Sequence, residues 1–463
     1  MRVAFVYMNN ELGVGRGAGY VASAVTSAGH ELSFFDSYFT PIKIIAKKVV
    51  RGRYDILLIS SMTMIFPEAL KLINLVKNGA NIPVLVGGVH ATIMGEQLLL
   101  KHPTIDYLCI GEGESMIVEF LRDFGTEKMF DVENLAYRRD GKIFSNPIRP
   151  PEDLSKLPQF KWDLFQDQAV LQKPSESINL DATRGCPFSC TYCCNKIYLD
   201  HYGKSYIRFK PIPRVIEEMK FLNERYHPKF FYFGDEMTLS NPEYAIQLFR
   251  AIKRYLDVPF GCMVRAEYIT PSIVDELCRN GCQYVGIGVE CGDEDFRKEY
   301  LNRRMTNEQI EKAFALLKKA GIFVTSFNMI GYPYRNDEAL TKATVELNRR
   351  ISPDYVQVSI FYPFPGTKLY EYCVERNLID QAKLDRTRDY FSESVLKDVS
   401  LARKRVEIDL HFNPLGMQFM ARKEIDRTAR QNLTAIRKLR NAGLLLWRTT
   451  KAKGETTLLV NTT

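Results

Sequence analysis

The sequence predicts an α/β protein: a doubly wound parallel sheet, a second run of six strand–helix units, and a helical, basic C-terminal region. Two observations carry this. Short β-branched runs alternate with amphipathic stretches over residues 1–125, and the same alternation resumes after residue 177. Such alternation gives βαβ units and parallel sheets covered on both faces.

In the first part, strands are expected at Arg2–Tyr7, Glu31–Phe35, Ile56–Ser60, Val84–Val86 and Tyr107–Ile110. Amphipathic segments lie around Ala18–Ala28, Pro67–Lys77 and Met94–Lys101. Open parallel sheets bind ligands outside the carboxyl ends of their strands. Those ends carry SSMT with Ser60 and Thr63, GGVHAT with Gly87, Gly88 and His90, and GEGE with Gly111, Glu112 and Gly113. Glycines admit a large ligand close to the backbone, and hydroxyls and amides supply hydrogen bonds. These eight residues are the candidate ligand contacts of this region, although His90 also suits capping or packing. Residues 131–176 are expected to be a linker. They hold an expected hairpin, LAYRRDGKIFS, turning at Asp140-Gly141, and then Pro147, Pro150, Pro151 and Pro158.

The most specific motif is TRGCPFSCTYCCNK, which sets Cys186, Cys190 and Cys193 at C-x3-C-x2-C. Three thiolates fit a 4Fe–4S cluster with one iron left open, and no second C-x2-C knuckle exists for a four-ligand zinc site. Cys194 departs from the triad spacing and is not expected to be a ligand.

This motif, with Tyr192 before its last cysteine, resembles the radical S-adenosylmethionine (SAM) superfamily. The order GGVHAT–helix–IDYLCIGEGE resembles the cobalamin-binding domain that precedes many radical SAM cores. Together the likeness spans about residues 1–370. It implies a Rossmann-like domain over 1–130, a partial (β/α)6 barrel over 177–375, and a C-terminal part over 376–463. The implied cofactors are a 4Fe–4S cluster, SAM and cobalamin. The D-x-H-x-x-G motif that supplies an axial histidine in methionine-synthase-like domains is absent, which implies cobalamin bound with no protein imidazole on cobalt.

Barrel strands are expected at Ser177–Asp181, Phe230–Phe233, Phe260–Val264, Tyr284–Val289, Phe323–Met329 and Tyr355–Ile360. Barrel chemistry sits at strand C-termini. By resemblance, Gly234, Asp235 and Glu236 meet the SAM amino group, with helix capping the alternative for Asp235. Arg265 offers a fork for a carboxylate, and Glu290 ends the strand that contacts SAM. Tyr362, Pro363, Pro365 and Gly366 would shape the cavity floor. Arg208 and Lys210 resemble a basic pair that follows the cluster loop, with salt bridges to acids the alternative.

The chain carries a net charge of +8, and about +7 of it lies between Asp380 and Thr463, where 17 Lys and Arg face 10 Asp and Glu. A solvated helical face is the plain reading, and an anionic substrate, a membrane surface or nucleic acid is the other. The run RKEIDRTARQNLTAIRKLRNAGLLLWR reads as a long amphipathic helix, whose Leu444–Trp447 end suits peripheral membrane contact; GETTLLVNTT reads as frayed. No nucleic acid partner is expected. Ten cysteines without a secretory signal or a spanning helix suggest a reducing, cytoplasmic setting.

The resemblance implies an enzyme that modifies an unactivated carbon through a 5′-deoxyadenosyl radical. Methyl transfer is the leading expectation. Oxidative cyclisation or rearrangement is the alternative, and a non-catalytic cobalamin-binding protein the second. The substrate would be a small or lipid-like molecule, and the electron donor a flavodoxin or ferredoxin.

Overall fold

The computed structural model describes residues 1–10, 13–165, 177–334, 337–397, 408, 445–449 and 456–460. The chain divides into a large compact unit, Met1–Val406, and a small one, Glu407–Thr463.

The first sheet holds β1 (Arg2–Tyr7), β2 (Glu31–Asp36), β3 (Ile56–Ser60), β4 (Val84–Gly87), β5 (Tyr107–Cys109), β6 (Leu135–Arg139) and β7 (Lys142–Ser145), ordered β2-β1-β3-β4-β5-β6-β7. Strands β1 to β5 are parallel. The two-residue period of a strand fills both faces. Ala4 and Val6 of β1 enter one apolar cluster, and Val3 and Phe5 enter another. The hairpin expected within the linker belongs to this sheet: β6 pairs antiparallel with β5 through Tyr107 and Tyr137, and β7 pairs with β6. Buried Leu135, Ala136 and Tyr137 drive that addition.

The second sheet uses β8 (Ser177–Leu180), β11 (Phe230–Phe233), β12 (Phe260–Val264), β13 (Cys282–Glu290), β14 (Phe323–Ile330) and β15 (Tyr355–Ile360), all parallel and in that order. It is the expected half barrel. Between β8 and β11, β9 (Thr183–Arg184) and β10 (Arg208–Phe209) form a short antiparallel ribbon. Helices cover the outside and start on side-chain caps at Asn241, Thr270, Asp293, Thr306 and Thr367, with a full capping box between Thr306 and Gln309. Phe231, Phe233, Phe249, Phe260 and Phe314 are fully buried in the barrel core.

Two segments join the bodies of the large unit. Leu154, Leu157, Phe160, Trp162 and Phe165 run along the seam and pack with Tyr20 of the helix Arg16–Ser27 into the barrel's own core cluster. Phe160 meets Tyr20 edge-on at 5.0 Å, and Trp162 Nε1 donates to Glu218 Oε1 at 3.0 Å. The second segment follows β15. Tyr390 and Leu384 pack with Met64, Tyr362 and Val395. The Tyr390 carbonyl accepts from the Ile360 amide at 2.7 Å, and the Arg388 carbonyl accepts from Asn10 Nδ2 at 2.5 Å. Residues 387–396 thus strap the first sheet to the last barrel strand.

The amphipathic run expected after residue 420 lies outside the described residues up to Leu444. Its end is not helical: β16 (Leu445–Thr449) pairs antiparallel with β17 (Thr456–Val460), so the tail read as frayed is a strand. The strand segments LLWRT and TTLLV are rich in Leu, Val, Thr and Trp, a composition that suits paired strands as well as it suits a helix. Among the described residues, no helix is long and apolar enough to cross a membrane.

Phe314 is fully enclosed, so Phe314→Ala should lower unfolding free energy by about 3–5 kcal/mol. Chemical denaturation monitored by circular dichroism checks this.

Candidate active site

The cysteine loop leaves the ribbon at Arg184. Gly185 has φ +97°, and a Cβ there would stand 2.3 Å from the Tyr206 carbonyl oxygen, so the turn into Cys186 requires glycine. The loop is pinned from the segment after β13: Asn302 Nδ2 donates to Ser189 O and Oγ at 3.0 and 2.9 Å, and Thr191 Oγ1 donates to Tyr300 O at 2.5 Å. All ten cysteines are free. Cys190 is buried, and burial pushes the Cys186 thiol up to about 11. Cys194 is the N-cap of the helix Asn195–Tyr202, where its free thiol is hydrogen-bonded to that of Cys193.

Two buried guanidiniums face this loop. Arg265 Nη1 and Arg303 Nη1 each lie 3.9 Å from Cys190 Sγ. Arg265 also covers the Phe188 ring at 3.6 Å and pairs with Glu267 at 2.6 Å, so its fork is already engaged by protein. Arg303 donates to the Gly288 carbonyl and to Tyr192 Oη. Arg303 was not legible in the sequence, because nothing in LNRRM ties it to the cysteines.

Glu290 ends β13 at a register shift after Gly288 and takes φ +66°, a strained conformation for a non-glycine residue. The shift turns its carboxylate toward Arg303, whose Nη1 is 3.8 Å away, too far for a hydrogen bond.

Gly234, Asp235 and Glu236 follow β11 beside the cysteine loop. Asp235 Oδ1 accepts from the Ala182 amide at 2.9 Å, and Glu236 Oε2 accepts from the Gly185 amide at 3.3 Å. The capping alternative for Asp235 fails, since Asn241 caps the helix that follows. Asp235 Oδ2 is buried without a hydrogen-bond partner. Burial, then the charge of Asp181, raises Asp235 to about 7. Burial would raise Asp181 as well, but Lys210, Arg16 and Arg184 outweigh it and hold that carboxyl at about 2.

The three loops of the first sheet are laced together at the ends of β3, β4 and β5. Ser60 pairs with Gly87 in register. The Ser61 carbonyl accepts from the His90 amide at 3.2 Å, Thr63 Oγ1 lies 3.2 Å from His90 Nδ1, and Thr92 Oγ1 accepts from the Gly111 amide at 3.0 Å. His90 is buried against the Phe66 ring, 4.2 Å between centroids. Its imidazole is thus a packing and loop-bonding group. Glu112, expected among the cofactor contacts, is instead fully engaged by protein. Arg208 grips both of its carboxylate oxygens, at 2.6 and 2.7 Å, because Arg208 faces the loop across the seam. Lys210 realises the salt-bridge alternative with Asp181 and Glu218, at 3.1 and 3.5 Å.

The cysteine triad fits an iron–sulfur cluster. Its thiols are free, they crowd one loop, and Arg265 and Arg303 supply the positive charge that buried thiolates require. Among the described residues no three His, Cys, Asp or Glu side chains close on a point as ligands of a single ion would. A four-iron cluster gives each thiolate its own iron, so such closure is not needed. At the end of β11 the orphaned Asp235 Oδ2 is a buried acceptor with no protein donor.

Comparison with known proteins matches residues 180–344 to the Radical SAM superfamily and residues 12–121 to the B12 binding domain. The chain therefore carries a B12 binding domain followed by a radical SAM core. An uncharacterized methyltransferase of Pyrococcus horikoshii is 27% identical over 369 residues, covering 78% of this chain and 79% of the relative. An anaerobic magnesium-protoporphyrin IX monomethyl ester cyclase of Rubrivivax gelatinosus is 26% identical over 398 residues, covering 80% and 70%. The solved radical SAM methyltransferase TsrM of Kitasatospora setae shares the fold, with TM-score 0.67, 16% identity and coverage of 81% and 76%.

Burial, with lesser contributions from His102 and Lys101, lowers His90 from 6.5 to about 4. Between these values the unfolded chain binds a proton that the folded chain refuses. The group therefore costs nothing above 6.5, and stability should fall as pH drops from 6.5 toward 4. His90→Gln should remove that part of the pH dependence, read from urea midpoints.

Proposed function

We propose that this chain is a radical SAM methyltransferase that modifies an unactivated carbon of a small or lipid-like molecule. The observation that carries the reading is the shared location of its parts. The cysteine loop touches the end of β11 and the segment after β13, and the helix after it bonds to the loop at the end of β5.

Cys186, Cys190 and Cys193 would hold the cluster, with Arg265 and Arg303 offsetting thiolate charge. Asp235, Glu236 and Glu290, with the Gly234 turn, would bind the polar end of SAM. The loops at Ser60–Thr63, Gly87–His90 and Gly111–Gly113 would wall the cobalamin site, His90 through packing. When bound, these groups supply one-electron cleavage of a sulfonium and a transferable methyl group. The protein's own task is to orient them and to keep water from reactive carbon. Buried Tyr332 and Phe361, with half-buried Tyr192 packed against their cluster, suit that task.

A flavodoxin or ferredoxin is the proposed electron source. Ten free thiols suit a reducing, cytoplasmic compartment. The cyclase relative makes oxidative cyclisation the second reading. With methyl-labelled SAM, a product carrying the label supports transfer; an unlabelled, oxidised product supports cyclisation and overturns our choice.

Anaerobic reconstitution should give about four irons per chain, as a 4Fe–4S cluster requires. Cys186→Ala, Cys190→Ala and Cys193→Ala should each abolish the cluster and the formation of 5′-deoxyadenosine. Cys194→Ala should keep most of the iron; equal loss there would refute the ligand assignment. Glu290→Gln should weaken SAM binding by about 1.5–3 kcal/mol, the range for a hydrogen bond to a charged group. Calorimetric titration measures this, and a fall in melting temperature with unchanged affinity would make Glu290 a scaffold residue.

A further inference from the structure

Every hydrogen-bonding group of Glu112 is engaged by the protein itself. Oε1 accepts from Arg208 Nη2 at 2.6 Å and from Arg184 Nη1 at 3.3 Å. Oε2 accepts from Arg208 Nη1 and from the Glu152 amide, both at 2.7 Å. The Glu112 amide donates to the Tyr202 hydroxyl at 3.0 Å, and its carbonyl accepts from Asn134 Nδ2 at 2.8 Å. Two residues on, Glu114 Oε1 accepts from Arg184 Nη2 at 2.7 Å. The four charged side chains are only 5–15% exposed.

The two sides of this cluster come from different bodies. Glu112 and Glu114 follow β5. Arg184 and Arg208 stand on the β9–β10 ribbon, opposite one another in register. Arg184 lies two residues before Cys186, and Tyr202 closes the helix that begins just after Cys194. The acidic loop is therefore gripped by the residues that flank the cysteine loop on both sides in sequence.

We propose that Glu112, Glu114, Arg184 and Arg208 form a positioning clamp that fixes the loop at the end of β5 against the cysteine loop, and so sets the separation of the two bound cofactors. The proposal rests on the functional reading above. Adhesion alone does not call for such a device, because Tyr20, Phe160, Trp162 and Phe165 already seal the seam with apolar surface. Buried ion pairs add little net stability beside apolar packing, but they penalise every misplaced register, since a slip leaves charges buried and unpaired. The two-pronged Arg208 grip accepts one orientation of the carboxylate. Group transfer between bound partners depends steeply on placement, and an error of about 1 Å can cost a hundredfold in rate.

The test compares wild type with Glu112→Gln, which keeps shape and loses charge, and with Arg208→Lys, which keeps charge and loses the fork. In the holoprotein, reduced to cob(II)alamin and paramagnetic cluster, pulsed electron paramagnetic resonance reads the magnetic coupling between the two centres. Wild type should give one narrow coupling. Both variants should broaden it while iron and cobalamin content per chain stay unchanged. In the cofactor-free chain, hydrogen exchange should rise roughly tenfold in segments 109–116 and 183–194, and not in β1 or β14. Unchanged coupling together with unchanged local exchange overturns the clamp. So does faster exchange spread evenly over both sheets, which marks the cluster as adhesive. If Glu112→Gln does not fold, Arg208→Lys decides. If wild type takes up no cobalamin or cluster, the functional reading fails, and the exchange measurement alone judges the clamp.

Discussion

Taking a carboxylate and a guanidinium out of water costs several kcal/mol per ion unless each finds the other in good geometry. The seam between the first sheet and the half barrel is built around that constraint. Arg16 and Lys210 meet Asp181, at 2.8 and 3.1 Å, while Arg184 and Arg208 meet the acids after β5. Tyr20 lies between the two groups, with Arg184 and Lys210 each 5.0 Å from its ring centroid. The cysteine loop starts from this charged seam, so its position is inherited from the contact between bodies and not from the barrel alone.

Much of the fold was legible because burial on both faces leaves a plain signature. Strands such as ILLIS and VGIGVE are nearly continuous apolar runs, and several barrel helices carry their own side-chain caps. The hairpin Leu135–Ser145 was recognised but assigned to the linker, since its pairing with β5 is a non-local choice that no local pattern announces. The C-terminal strands were missed because a few leucines ending a basic run look equally helical, and strand pairing with a later segment decided the matter.

The site divides in the same way. The triad spacing, the acids after β11 and the strand-end Glu290 are local in sequence and could be named from it. Arg303 could not, being brought to Cys190 only by the turn after β13. Glu112 was placed in the correct loop with the wrong partner. Its glycine neighbours suggested access for a ligand, whereas Arg208, 96 residues away, satisfies its charge. A carboxylate's partner is a tertiary fact, and spacing alone does not disclose it.

The strap after β15 has a kinetic consequence. Asn10 bonds to Arg388 across 378 residues of chain. Loop-closure entropy places so distant a contact late in folding, after units with shorter-range pairing have formed. On the ribosome, the first sheet emerges with all its strands well before this segment is made, and domains fold as units in order of synthesis. The strap is therefore tied last, after both bodies exist, leaving an interval in which the first sheet and the half barrel are joined without it.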